Sequence, residues 1–180
     1  MKIPCAVREA GTFDAEGIAR VDIESSQVSF APLARHWPPP DLAARAAWWA
    51  SLLEASLADS KRVDFVATVD DLVVGFVGGG PARRSDVPAR VEIYVIHVLP
   101  DNRGNGIGGQ LWNVACGLLR GTSRAPLYVE TLAELRCCSF YETHGGEVLT
   151  RNPSTLHGGV VTQLVYIWPE GTSNEPRPAT

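Results

Sequence analysis

Basic charge is scarce in this chain of 180 residues: 16 Lys and Arg stand against 20 Asp and Glu, a formal net charge of −4. A protein that holds nucleic acid through a general basic field needs the opposite balance. Nucleic acid is therefore not expected as a partner, and an acidic exterior mildly favours cationic small molecules. Long apolar runs are missing too. No stretch approaches the roughly twenty uninterrupted apolar residues that span a bilayer. The N-terminus, Met-Lys-Ile-Pro-Cys-Ala-Val-Arg-Glu, has no apolar run of the signal-peptide kind, so a cytoplasmic protein without membrane contact is expected. Cysteine is sparse and unpatterned: Cys5, Cys116, Cys137 and Cys138 include no Cys-x-x-Cys pair and no histidine at zinc-ligand spacing. Reduced core thiols are expected, with no metal. A nucleophilic cysteine would need a base, and His144 is the only one close in sequence. Internal repeats are absent.

With 45% hydrophobic residues and five Trp, the chain can close one sizeable core but is short for two ordinary domains. Residues 1–168 are expected to form a single domain, and residues 169–180, polar and proline-rich, a flexible tail. Residues 3–8 read as an edge strand, and Thr12 offers an N-cap to a helix reaching about Ser26. Trp37-Pro38-Pro39-Pro40 breaks the next stretch into a loop. Asp41 can cap a second helix, whose Leu42, Ala46, Trp49, Leu53 and Leu57 recur on one side as core. Residues 63–69 and 72–79 are β-rich runs joined by Asp70-Asp71, a hairpin signal. Gly75 and Gly78 to Gly80 strip side chains from the second run, which points to a bulge or a close approach. Residues 91–99, nearly all apolar but for Glu92 and His97, suit a strand covered on both faces. Ile107, Leu111, Ala115 and Leu118 fall at helical spacing up to Gly121. A strand over 127–131, a short helix over 134–144 and an antiparallel pair from 148–150 and 160–168 complete the order.

Between the strand at 91–99 and the helix after it lies Pro100-Asp101-Asn102-Arg103-Gly104-Asn105-Gly106-Ile107-Gly108-Gly109. A glycine-rich turn at a helix start presents unpaired backbone N–H groups to an anion. A side chain at those glycines would hold phosphate oxygens away, and Arg103 can add charge. Gly104, Gly106 and Gly109 also satisfy the dinucleotide fingerprint, with Glu130 where a ribose ligand would be sought. Against a nicotinamide enzyme, a Pro-Asp-Asn-Arg loop separates the strand from the first glycine, and too few residues follow Glu130 for further βα units.

Arg103-Gly104-Asn105-Gly106-Ile107-Gly108 resembles the coenzyme A pyrophosphate loop of the GNAT superfamily of N-acyltransferases. Arg136-Cys137-Cys138-Ser139-Phe140-Tyr141-Glu142-Thr143-His144-Gly145-Gly146, in its turn, resembles that family's later helix, Ala-x-x-Phe-Tyr-x-x-x-Gly. The two motifs and the strand between 91 and 99 cover roughly residues 91–147, and Val73-Val74-Gly75-Phe76 is a weaker match. The resemblance implies an α/β (α+β) fold with a mixed central sheet of about six to seven strands and about four helices. It implies acetyl-CoA as co-substrate and direct attack by a primary amine of a small molecule or peptide in a ternary complex. Pantetheine would lie between two splayed parallel strands, bonded by the backbone of Ile96, His97 and Val98. The pyrophosphate would lie on Arg103, Gly104, Asn105, Gly106, Ile107, Gly108 and Gly109.

Tyr141 is then the general acid beside the sulfur, and Glu92 the general base, acting directly or through water. His97 is the alternative base by its ordinary pKa. It shares a face with Glu92 only if a bulge intervenes; otherwise its role is structural, as Glu92's would be if it paired with Arg90. Glu134 stands where the family commonly has an Asn that contacts pantetheine. Arg120, Arg124 and Arg136 are candidates for the 3′-phosphate, and His36 and Trp37 for the acceptor entrance. The competing functions are a non-catalytic acyl-CoA-binding module and an NAD-dependent oxidoreductase; a homodimer is left open.

Overall fold

A computed structural model describes residues 4–31, 33, 39–59, 61–156 and 159–176. Its strands are β1 (Ala6–Glu9), β2 (Val63–Val69), β3 (Leu72–Pro81), β4 (Val91–Val98), β5 (Leu127–Leu132), β6 (Glu147–Leu156) and β7 (Gly159–Trp168). Its helices are α1 (Ala15–Phe30), α2 (Leu42–Ala58), α3 (Ile107–Arg120) and α4 (Cys138–Thr143). The strands make one seven-stranded sheet in the order β1-β2-β3-β4-β5-β7-β6, the mixed α/β architecture expected. Only β4 and β5 run parallel among the neighbouring pairs. That overturns the nicotinamide reading, because a doubly wound sheet is built from repeated parallel βα units.

Local chemistry sets the element ends. Asp41 Oδ1 accepts the Ala44 N–H at 2.8 Å and caps α2 as predicted. Asp70 and Asp71 both sit at positive φ, 48° and 61°, the pairing a two-residue type I′ hairpin demands. Thr12 does not cap α1: residues 12–14 form a single 3₁₀ turn, and Asp14 reaches back to the Gly11 N–H at 2.8 Å. The stripe on α2 is narrower than expected. Trp49 and Leu53 are buried, but Leu42 and Leu57 are exposed, because α2 packs mainly along α1 and only its middle turns reach the core. Helix α4 begins at Cys138, since Glu134 lies in the preceding turn and accepts the Thr162 N–H of β7 at 2.9 Å.

The register of β3 against β4 shifts between Gly78 and Gly79. Gly78 opposes Val95 and Gly79 opposes Ile93, which leaves Tyr94 as the extra residue of a β-bulge. Directly opposed residues share a sheet face. Glu92, Val95 and His97, opposite Gly80, Gly78 and Phe76, therefore face one way, and Ile93, Ile96 and Val98, opposite Gly79, Val77 and Gly75, face the other. α1 and α2 cover the first face, where the Trp49 ring meets Phe76 at 5.0 Å. α3 covers the second so closely that a Cβ on Gly79 would stand 2.7 Å from Leu119 and one on Gly75 3.2 Å from Leu111.

The segment after β7 departs from the expected loose tail. Arg120, 2% exposed, donates to Ala125 O at 2.8 Å and Pro169 O at 2.9 Å. Trp112 Nε1 donates to Asn174 O at 3.0 Å and the Gly171 N–H to Arg124 O at 3.0 Å, so residues 169–174 are fastened to the end of α3. No helix among the described residues is long and apolar enough to cross a membrane.

Candidate active site

β4 and β5 pair only through Val91 with Leu127 and Glu92 with Tyr128. Beyond that they part, while β5 stays paired to β7 from Leu127 to Leu132. The Leu99 N–H bonds to Val74 O on β3 at 2.8 Å, and alternation along a strand turns the backbone groups of His97 toward β3 and those of Ile96 and Val98 into the gap. Val98 O is already taken by Ser25 Oγ at 3.1 Å and Arg103 Nε at 3.0 Å. The gap therefore receives the N–H and C=O of Ile96 and the N–H of Val98. His97, assigned from sequence a backbone contact, offers only its ring.

At the mouth of the gap the chain turns through Gly104 at φ 79° and Gly106 at φ 82°, a conformation that glycine alone adopts readily. A Cβ on either would meet nothing within 4 Å, so the turn opens onto free space. The first bond into α3 runs from the Gln110 N–H to Gly106 O at 3.1 Å, which leaves the N–H groups of Ile107, Gly108 and Gly109 at the positive end of the helix without intrahelical acceptors. The arrangement fits a pyrophosphate. Asn105 Nδ2 braces the turn on Asn102 O at 3.2 Å, and Arg103 lies back over the end of β4 instead of across the glycines. Gly108 and Gly109 face α4: a Cβ there would stand 3.5 Å from Phe140 and 3.6 Å from His144 Nε2.

Tyr141 lies on the α3 face of the sheet, 6% exposed, its ring 5.6 Å from Tyr166 of β7 and 6.0 Å from Trp112 of α3. Burial pushes its phenol pKa well above the ordinary tyrosine value, with the Cys137 and Cys138 thiols adding to the shift. Both cysteines are themselves shifted upward, first by burial, so they remain thiols. His144 does not activate them: its Nδ1 lies 2.8 Å from Phe140 O, and its Nε2 is buried without a partner.

The opposite face of the split carries a polar cluster. Glu92 is 1% exposed, and four donors converge on it: the Arg83 N–H at 3.1 Å, Arg83 Nε at 3.0 Å, the Arg83 terminal nitrogen and the Tyr128 hydroxyl. They all but fill the acceptor capacity of a carboxylate. Glu92 pairs with Arg83 rather than Arg90, and in this arrangement it anchors a wall and is not free as the base assigned to it from sequence. Burial, then the bond to Glu92, raises the Tyr128 pKa. Arg84 bridges to Glu130 and Asp86, which accounts for the residue weighed as a ribose ligand. Val87 packs on Tyr128 and Val165, so the loop over 82–90 is fastened across β4 and β5.

On the same face, His97 Nε2 stands 3.9 Å from Asp22 Oδ1. Burial lowers the His97 pKa to about 4, opposed by Asp22 and assisted by Arg103 and Arg45. Asp22 is buried on α1 and accepts from Arg45 Nε at 2.7 Å and Trp49 Nε1 at 3.0 Å.

Sequence reasoning missed Arg83, Tyr128 and Asp22. The available signal was Glu92 itself, since a carboxylate in an apolar strand needs a partner and Arg83-Arg84 is the nearest basic pair. Arg120 is spent on the C-terminal segment and is not free for a 3′-phosphate, whereas Arg124 and Arg136 are exposed. His36 and Trp37 lie outside the described residues. A recess of about 720 Å3, lined by Leu53, Asp64, Pro81, Val91 and Leu118 among others, lies at the other end of β4 and includes no residue of the glycine turn.

The sequence model of the Acetyltransferase (GNAT) family matches residues 23–145. No curated protein matches the chain. Among solved structures, a ribosomal-protein-alanine N-acetyltransferase from Brucella melitensis superposes with a TM-score of 0.71 at 21% identity, over 91% of this chain and 99% of that one. An N-acetyltransferase from Staphylococcus aureus does so at 0.69 and 17%, over 92% and 98%. The PaiA N-acetyltransferase from Thermoplasma acidophilum, solved with coenzyme A, does so at 0.66 and 16%, over 89% and 98%. The split strands, the left-handed glycine turn and the family match over most of the chain agree: this protein belongs to the GNAT family of acetyltransferases.

Proposed function

We propose that the protein moves an acetyl group from acetyl-CoA to a primary amine of a small molecule or peptide, by direct attack while both substrates are bound. The carrying observation is the divergence of β4 from β5 after Glu92 and Tyr128, between the glycine turn on one side and a polar acceptor face on the other. The N–H groups of Ile107, Gly108 and Gly109 would hold the pyrophosphate. Ile96 and Val98 would bond pantetheine as an added strand, and the Ile96 N–H would polarise the thioester oxygen. Tyr141, kept protonated by its burial, would give its proton to the departing sulfur. Glu92 would hold the loop over 82–90 across the acceptor side, and Glu134, bonded to Thr162, would not supply the amide contact usual in the family.

Free thiol release from acetyl-CoA tests this reading against a panel of polyamines, amino acids, aminoglycosides and peptides with free N-termini. Release with at least one acceptor above the hydrolytic background is expected. Binding of acetyl-CoA without release for any acceptor would instead support an acyl-CoA-binding module.

A further inference from the structure

We propose that Ser25 is a positioning residue, which sets the register in which the pantetheine arm of the cofactor adds to β4; this rests on the acetyl-transfer reading above. It acts through the Val98 carbonyl. Ser25 lies on α1, 0% exposed, and its hydroxyl donates to Val98 O at 3.1 Å. Arg103 Nε donates to the same oxygen at 3.0 Å, while a terminal nitrogen of Arg103 lies 3.4 Å from Ser29 Oγ, one turn further along α1. One donor is enough to satisfy a carbonyl that folding has removed from water. A carbonyl oxygen has two lone pairs, so the second donor closes the last place at which a ligand could bond.

Strand geometry gives that closure a consequence. Backbone groups that point to the same side of a strand recur every second residue, about 6.6 Å apart. With its oxygen open, Val98 would offer an extended chain of amides the same kind of acceptor as Ile96, and the arm could settle in either of two registers one such step apart. A thioester and an amine react only when held within roughly 3–3.5 Å. An arm displaced by a whole step toward the glycine turn therefore cannot transfer its acyl group. With Val98 O filled, Ile96 O is the one carbonyl of this edge left to accept, and the unproductive register is excluded.

The two donors are not equivalent. Arg103 is exposed, so water competes for its place, whereas the Ser25 hydroxyl is sealed between α1 and the sheet and holds its lone pair permanently. The buried apolar residues of α1, Ala15, Ile18, Ala19 and Val21, carry no side-chain donor, and alanine would fill the site at position 25 nearly as well. The hydroxyl is there for its bond rather than for its volume.

The test uses the full chain and Ser25→Ala, with folding checked by circular dichroism, coenzyme A affinity by calorimetry, and kcat and KM by thiol release with an accepted amine. Freeing one lone pair adds a mode of binding that does not react. kcat and the KM for acetyl-CoA should fall together by roughly 2–10-fold, the span of one net hydrogen bond. kcat/KM should hold, and coenzyme A should bind tighter by the same factor. A lower kcat/KM or a weaker coenzyme A affinity in the folded variant would make the bond ordinary packing and overturns the proposal. If Ser25→Ala does not fold, Arg103→Ala, which frees the same carbonyl from the exposed side, decides by the same three readouts. Wild-type protein that binds coenzyme A but acetylates no amine overturns the transfer reading and this one with it, whereas active wild type with an unchanged kcat, KM and Kd in the variant removes this one alone.

Discussion

Replacing Gly106 by alanine puts a methyl group into the open space above the glycine turn, at a residue held at φ 82°. An L residue in that region costs about 1–2 kcal/mol relative to glycine, and no packing offsets it, because the new Cβ has no atom within 4 Å. For a chain of this size that loss lowers Tm by about 2–8 °C. The strain is the same with and without ligand, so alone it leaves affinity untouched. Affinity falls because the methyl group stands where a pyrophosphate would rest on the N–H groups of Ile107 and Gly108, and a tenfold weaker Kd for coenzyme A corresponds to about 1.4 kcal/mol.

Gly117→Ala is the control. Its Cβ would meet nothing within 4 Å in a regular turn of α3 away from the glycine turn, so about 0.4–1 kcal/mol should be gained and Tm should rise. Thermal unfolding and calorimetric titration with coenzyme A separate the two effects. A Gly106→Ala protein as stable as wild type would show that the left-handed turn is not the native one. A destabilised variant with unchanged coenzyme A affinity would remove the phosphate from this turn.

Tyr141→Phe should lower kcat roughly 10²-fold with little change in acetyl-CoA affinity. Because burial raises the phenol's folded-state pKa, the acid form persists above the ordinary value near 10; an alkaline fall of kcat centred near pH 9 that disappears in the Phe variant would contradict this. Arg83→Ala leaves the buried Glu92 carboxylate with Tyr128 as its one remaining side-chain donor and should cost about 1–3 kcal/mol in urea unfolding, toward the lower end because Arg83 is largely exposed. Less than a few tenths would mean that water replaces the guanidinium at no cost. Arg120→Met keeps the apolar stem but loses the bonds to Ala125 and Pro169, so limited proteolysis after Trp168 should accelerate, and equal cleavage of both proteins would show that residues 169–174 are not held.

The elements and the cofactor turn were legible because their signals are local. Periodicity marks α3, two aspartates mark the hairpin, and closely spaced glycines at a helix start mark an anion site. The acceptor face was not, because most of it is assembled across the sheet from residues far apart in the chain: Asp22 with His97, Tyr128 with both Glu92 and Arg84. Its decisive feature is a single extra residue. The glycines of β3 announced a bulge or a close approach, and both occur, but sequence could not say that the bulge falls at Tyr94 and so brings Glu92 and His97 to one side. Arg120 failed as a phosphate candidate for a related reason, since nothing in the pattern of α3 reveals that its last turn is covered by the segment after β7.

The same bulge lies next to the point where the sheet divides. β4 keeps its partner β3 along its full length and β5 keeps β7, so each strand turns one edge of backbone N–H and C=O groups to the other without pairing. Such edges are costly in an interior unless water or a ligand satisfies them. A longer β4–β5 ladder would remove that cost, and the continued pairing of β5 with β7 shows that β5 is regular enough to form one. The unpaired edges of Ile96 and Val98 are instead kept open beside the glycine turn, where, on the proposed function, an extended chain of amides such as pantetheine would supply the missing bonds. Binding energy would then be drawn from groups that folding leaves unpaired, and the carbonyl of Val98, already bonded to Ser25 and Arg103, marks where that open edge ends.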